Sequence, residues 1–181
     1  MSNYFGYGKD NRHRVFISYY HKDDEYDRER FEELFGYLFI NSSVQPGDID
    51  SDNSDEYIKH LIQEDYISNA SVCVVLVGAN TYGRKHVDWE ISAALNKKVG
   101  GYSGLVGICL PDHPDYGKSY NSNNVPARLV DNLQSGYANF YDWTEDADKI
   151  SRWVENAYQN RISGKDNIDN SRKQLQEDIS Q

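Results

Sequence analysis

The chain is poor in sulfur, in positive charge and in long apolar runs. Its two cysteines, Cys73 and Cys109, each sit inside an apolar stretch. They read as buried free thiols of a reducing compartment rather than as a disulfide or a zinc site. No apolar run approaches the roughly 20 residues that a transmembrane helix needs. The opening MSNYFGYGKDNRHR has no apolar h-region, so no signal peptide is expected. The expected location is therefore cytoplasmic, with no membrane partner. Lys and Arg number 19 against 29 Asp and Glu, which leaves a net charge of −10 and a pI near 4.9. That balance argues against a nucleic-acid partner, which is usually held by a basic face, and against an anionic membrane surface. A small anionic ligand stays compatible, because a few local cations and backbone N–H groups hold phosphates inside an acidic protein.

Several catalytic signatures are also missing. There is no G-x-x-x-x-G-K-[ST] phosphate loop and no G-x-S-x-G elbow. Gly6-Tyr7-Gly8 precedes the first strand, which makes it a poor dinucleotide fingerprint. The five histidines (His13, His21, His60, His86 and His113) show no metal-ligand spacing, so no metal site is expected. An Asp pair after the first strand suggests a phospho-acceptor domain, but that chemistry needs a third Asp ending the third strand, which ends VLVGAN instead.

What is present fits one folded domain: 181 residues, 38% of them hydrophobic and 13% aromatic, enough for a sizeable core. Residues 1–12 are Gly-, Tyr- and Asn-rich without a period and read as a flexible arm. Arg14–Tyr20 is a strand. Phe31, Leu34, Phe35 and Leu38 repeat on one helical face, with Gly36 weakening its end. YLFINSS can hold a short second strand. Gln45–Asp48 is a turn signal, and the polar loop Asp48–Ser54 leads into a helix with Ile58, Leu61 and Ile62 on one face. Val72–Val77 is continuously apolar, as in a strand buried on both faces. A helix follows with Val87, Ile91, Ala94 and Leu95 facing inward. Leu105–Leu110 is the next buried strand. Pro126 is placed at the first position of a short helix, Ala138–Asp142 is a last strand, and Thr144 is expected to cap a helix with Ile150, Trp153, Val154, Ala157 and Tyr158 inward. Residues 161–181 read as a polar tail, frayed or forming a short solvated helix.

This alternation predicts a flavodoxin-like three-layer α/β/α fold around a parallel sheet of about five strands. In the strand order 2-1-3-4-5, ligands bind outside the C-terminal ends of strands 1 and 3. HKDDE and ANTYGRKHVDWE then form opposite lips of one cleft, with Glu90 on the second. Two readings of Glu90 stand on the residues alone: a first-turn acid favoured by the helix dipole, or a site carboxylate. Asp23 and Asp24 read as the solvated start of the first helix. A single carboxylate suits glycosyl transfer from a substrate that carries its own leaving group. Breaking a C1′–N bond builds positive charge on the ribose, and a fixed carboxylate stabilises it.

The residues also carry a resemblance. RVFISYYHKDD, the central DEYIKHLIQEDYISNASVCVVLVGANTYGRKHVDWEISAAL and FYDWTEDADKISRWV resemble the TIR-like domains, most closely the TIR-like component of the bacterial Thoeris antiphage system. The resemblance implies a TIR-like domain over residues 13–160 and a catalytic Glu90. It implies NAD+ as substrate rather than cofactor, nicotinamide release, and a cyclic or modified ADP-ribose signal that activates a separate antiphage effector, with self-association among the partners it allows. Phe16, Ser18, Tyr19, Tyr20 and His21 would line the pocket, and Asp48–Asn53 would form the loop closing over the ligand. One position departs from the pattern. Many TIR enzymes have Trp four residues before the Glu, where this chain has His86, so Tyr82 or Tyr20 is the expected aromatic wall. A non-catalytic TIR-like adaptor and a nucleoside deoxyribosyltransferase-like enzyme are the alternative readings.

Overall fold

The structure is a computed structural model that describes residues 10–43, 54–62 and 67–180. The expected turn Gln45–Asp48 and the whole of the expected closing loop Asp48–Asn53 lie outside these residues, as does most of the arm 1–12.

Among the described residues the elements run β1 (Arg14–Ser18), α1 (Glu25–Phe35), β2 (Ile40–Asn41), α2 (Asp55–Leu61), β3 (Val72–Val77), α3 (Lys85–Ala94), β4 (Gly104–Cys109), α4 (Ala127–Gln134), β5 (Asn139–Asp142) and α5 (Ala147–Ser163). The five strands form one sheet in the order β2-β1-β3-β4-β5, and every pairing is parallel. The flavodoxin-like α/β fold is therefore present, with its switch point between β1 and β3.

Alternation along the strands sorts side chains into two layers. Phe16, Cys73, Val75 and Val77 pack in one layer with Ile58 and Ile62 of the α2 region, with Val87, Trp89, Ile91 and Ala94 of α3, and with Leu129 and Val130 of α4. Val15, Ile17, Tyr19, Val74, Leu76 and Ile108 pack in the other against Phe31 and Phe35 of α1 and Ile150, Val154 and Ala157 of α5. All six residues of β3 are buried, because helices cover both faces of a central parallel strand. Cys73 and Cys109 are free and buried. Burial pushes both thiols up, Cys109 to about 12.

Three local expectations are corrected. Pro126 is the residue before α4 rather than its first; with ψ 125° its backbone is still extended. Asp146, not Thr144, caps α5, its carboxylate accepting from the N–H groups of Asp148 and Lys149, while Thr144 Oγ1 accepts only from Asp146 N–H. Both acceptors are capping types, and the one in register with the first free N–H groups takes the role.

The third correction is the largest. After α5 a single exposed 3-10 turn, Lys165–Asn167, follows, but residues 168–180 are neither frayed nor helical. They turn back as an irregular strap over α4 and α3. Asn132 and Asp169 exchange hydrogen bonds, Arg172 pairs with Asp131 at 2.7 Å, and Ile179 N–H reaches Gly83 O at 2.8 Å. A polar composition fits this path because the strap is held chiefly by hydrogen bonds rather than by apolar burial.

Candidate functional site

Two loops leave the C-terminal ends of β1 and β3 and meet at the switch point. They are tied to each other rather than standing apart. Asn80 Nδ2 donates to Asp23 Oδ2 at 2.7 Å, and Thr81 Oγ1 donates to Asp24 Oδ2 at 2.8 Å while accepting from Gly78 N–H at 2.9 Å. Asp24 is 1% exposed, so the expectation that it is solvated is overturned; its carboxylate turns inward to Thr81 instead of capping α1. Burial raises its pKa to about 6 against the lowering effect of the Thr81 bond. Gly78 is the residue this contact requires: a Cβ there would lie 2.2 Å from Asp24 Oδ1. The Asp24–Thr81 brace was not among the expected site residues. The only local hint was an acid and a hydroxyl placed on the two switch-point loops.

Glu90 is the sixth residue of α3, which begins at Lys85; the acid in the first turn is Asp88. The helix-dipole reading of Glu90 therefore falls. Its carboxyl points inward, 4% exposed, and Oε2 accepts from Ser18 Oγ. Burial raises its pKa from 4.5 to about 8, and the Ser18 bond offsets part of that rise.

The other expected residues divide. Phe16 and Ser18 share the Glu90 side of β1, both buried. Tyr19 belongs to the opposite layer; its hydroxyl donates to Glu25 Oε2 at 2.6 Å, and its ring stacks on that of exposed His21 at 4.2 Å. Tyr20 is half-buried under the Arg84 guanidinium, 4.5 Å from its ring centroid, which brings it to the entrance of α3. Tyr82 is half-buried in the 3-10 turn Thr81–Gly83. His86, one helical turn before Glu90, has its ring 5.0 Å from that of Trp89, and its buried Nε2 has no partner among the described residues. Burial and then Lys85 lower its pKa. Trp89 sits in the core and donates to Leu175 O at 2.8 Å.

The arrangement supplies a buried carboxyl held by a hydroxyl at the end of β1, one aromatic ring on each of the two switch-point loops, Tyr20 and Tyr82, with the Arg84 guanidinium over the first, and a braced switch point. Among the described residues no three His, Cys, Asp or Glu side chains are grouped to hold a metal ion, and no helix is long and apolar enough to cross a membrane.

A parallel sheet in this order, with helices on both faces, is the doubly wound, flavodoxin-like α/β architecture. Residues 16–115 match the model of the family described as Thoeris protein ThsB, TIR-like domain, and the chain belongs to that family. Among solved structures it is similar to the TIR domains in the structure of the activated Roq1 resistosome directly recognizing the pathogen effector XopQ. Identity there is 16% over 88% of this chain and 93% of that one, with a TM-score of 0.40. No curated protein matches the chain.

Proposed function

We propose that the chain cleaves NAD+ at the bond between nicotinamide and ribose, with Glu90 facing the nicotinamide-side ribose. The observation that carries this reading is the buried Glu90–Ser18 pair beside the β1/β3 switch point. Membership of the ThsB family supports it. In the step, the C1′–N electron pair leaves with nicotinamide, which departs neutral and needs no strong acid. The ribose becomes an oxocarbenium-like cation, stabilised by the ionised Glu90 carboxylate. A hydroxyl, from water or from the remainder of the substrate, then adds at C1′ and loses its proton. Addition from within the molecule produces the cyclic or modified ADP-ribose signal by which a separate antiphage effector is activated.

The electrostatics fit this use. Without ligand, burial keeps Glu90 largely protonated at neutral pH. The positive charge of a bound nicotinamide ring favours the ionised form, so substrate and carboxylate charge arrive together. Tyr20 and Tyr82 provide aromatic surface at the mouth, and Ser18 orients the carboxyl.

The test is nicotinamide release from NAD+ followed by chromatography, with the purified chain alone and with phage-infected lysate. Wild type releases nicotinamide in at least one condition, and Glu90→Gln loses about 100-fold or more of the rate, the scale of removing a fixed electrostatic partner. Equal activity of Glu90→Gln and wild type sinks the proposal. Silence of wild type in both conditions, with binding to a protein partner intact, would favour the adaptor reading.

A further inference from the structure

The C-terminal strap follows α3 along its whole length, in the opposite direction. Asn170 Nδ2 donates to Ser92 O at 3.1 Å and Asn96 Oδ1 at 3.0 Å, and Gln174 Nε2 donates to Ser92 Oγ at 3.2 Å. Leu175 N–H donates to Asp88 Oδ2 at 2.9 Å while Leu175 O accepts from Trp89 Nε1. Asp178 accepts from Lys85 N–H at 2.9 Å and from Arg84 Nη1 at 3.2 Å, at the first turn of the helix. Ile179 then bonds Gly83 O, so close that a Cβ on Gly83 would lie 2.5 Å from Ile179 O. At about 100° per residue, Lys85, Asp88, Trp89 and Ser92 lie on the outer side of α3, and Glu90, two positions from Asp88, lies opposite.

We propose that strap residues 169–179 are the positioning element for Glu90: their grip on the outer face and first turn of α3 sets how deeply the helix seats on β1 and so how far Glu90 is buried against Ser18. The grip is built into the core. Arg128, 1% exposed, satisfies its fork with both oxygens of Asp88 and with Asn170 Oδ1 and Arg172 O. Lifting the strap would strip Arg128 Nη1 and Trp89 Nε1 of their partners, so α3 and the strap hold their positions together. The strap's far end differs: Asp178 is exposed, and its bonds reach only the entrance of the helix.

Glu90 is a sensitive reporter of that seating. Tyr19, at the end of β1, and Cys73 of β3 are the titratable groups coupled to it, and burial keeps both neutral at physiological pH. On its own helix are Lys85, His86 and Asp88; Arg128 of α4 and Asp178 of the strap act on the outer side. Among the described residues no cation touches the Glu90 carboxyl, so its ionisation follows its depth.

The functional meaning of the proposal rests on the NAD+-cleavage reading, but its physical content does not. The experiment titrates the Glu90 carboxyl by NMR in 13C-glutamate-labelled protein, identified by its loss in Glu90→Gln. Wild type, Asp178→Ala and Gly83→Ala are compared, with amide exchange of residues 85–90 and nicotinamide release across pH measured alongside. Loosening the end of the strap is expected to lower the Glu90 midpoint by at least half a pH unit and to speed first-turn amide exchange at least ten-fold. The acid limb of the rate profile moves with the midpoint. An unmoved midpoint and unchanged exchange in both variants overturn the proposal, whatever happens to thermal stability. A moved midpoint without nicotinamide release in any sample upholds the strap and overturns the NAD+ reading. Should Gly83→Ala not fold, Asp178→Ala, which removes an exposed side chain, decides alone.

Discussion

Asp88 and Glu90 stand two residues apart on α3, both about 95% buried, yet on opposite sides of the helix they have opposite surroundings. Asp88 meets the Arg128 guanidinium at 2.8 Å and a backbone N–H of the strap. Among the described residues the Glu90 carboxyl meets one hydroxyl and no cation, and is otherwise cut off from water by burial. A buried acid with a cation and a complete set of donors is a structural fastener. A buried acid without them is held in a costly state and titrates far from its usual range, which is the condition enzymes use to keep a carboxylate poised. The difference teaches that burial alone does not set a carboxylate's state; the presence or lack of a counter-charge does.

That contrast can be broken most forcefully at Asp88's partner. Arg128→Ala leaves a buried carboxylate without its cation and should cost about 3–5 kcal/mol of unfolding free energy, read by urea denaturation. Arg128→Ala within about 1 kcal/mol of wild type would mean Asp88 is no fastener. The next effect is pH-dependent and belongs to Glu90. Its folded pKa, about 8, lies above the ordinary 4.5. Between those values the folded state binds more protons than the unfolded chain, so stability falls as pH rises through the window and levels off above it. Asp24, raised from 3.8 to about 6, adds to the fall at the lower end. Glu90→Gln removes its share. The variant should gain on wild type progressively from pH 5 to pH 8, by a few kcal/mol at most at about 1.4 kcal/mol per pH unit. A stability gain independent of pH would show that Glu90 is not protonated by burial.

Smaller effects sharpen the picture. Gly78→Ala pushes a methyl against the buried Asp24 carboxylate, which Thr81 holds in place. A loss of about 1–3 kcal/mol is expected from overpacking, and a neutral result would show that the brace between the two loops gives way. Trp89→Phe keeps an aromatic ring but removes the donor to Leu175 O and part of the buried ring volume, with an expected loss of about 1–3 kcal/mol in thermal melting. Its effect should shrink in a background where the strap is already displaced by Gly83→Ala, because the two changes act on one set of contacts.

Much of the scaffold was legible without coordinates. The unbroken apolar run Val72–Val77 announced a central strand, and the 3.6-residue spacing of Val87, Ile91 and Ala94 announced the helix that carries Glu90. Both signals are local periods imposed by burial on one or both faces. The strand order, assumed from the alternation of elements, is the one observed. What was not legible is polar and long-range. Asp24 and Thr81, 57 positions apart, fall on facing loops, but no spacing in the chain indicates that this acid will turn inward to bond that hydroxyl. Nothing within residues 161–181 indicates a strap, because its partners are backbone groups and side chains about 37–96 residues distant. Tyr19 was grouped with Ser18 by adjacency, but successive strand residues face opposite layers, and its hydroxyl went to Glu25.

By itself the sequence determined an α/β chain with a carboxylate on the helix after its most apolar strand, since burial patterns repeat at short range and survive in one dimension. Only the tertiary structure decided which of the two acids on that helix is paired and which is left with a hydroxyl. The pairing depends on Arg128, 40 residues beyond Asp88, and on a strap that closes over the opposite side. Counter-charges of this kind are brought together by the fold as a whole, and no spacing along the chain encodes them.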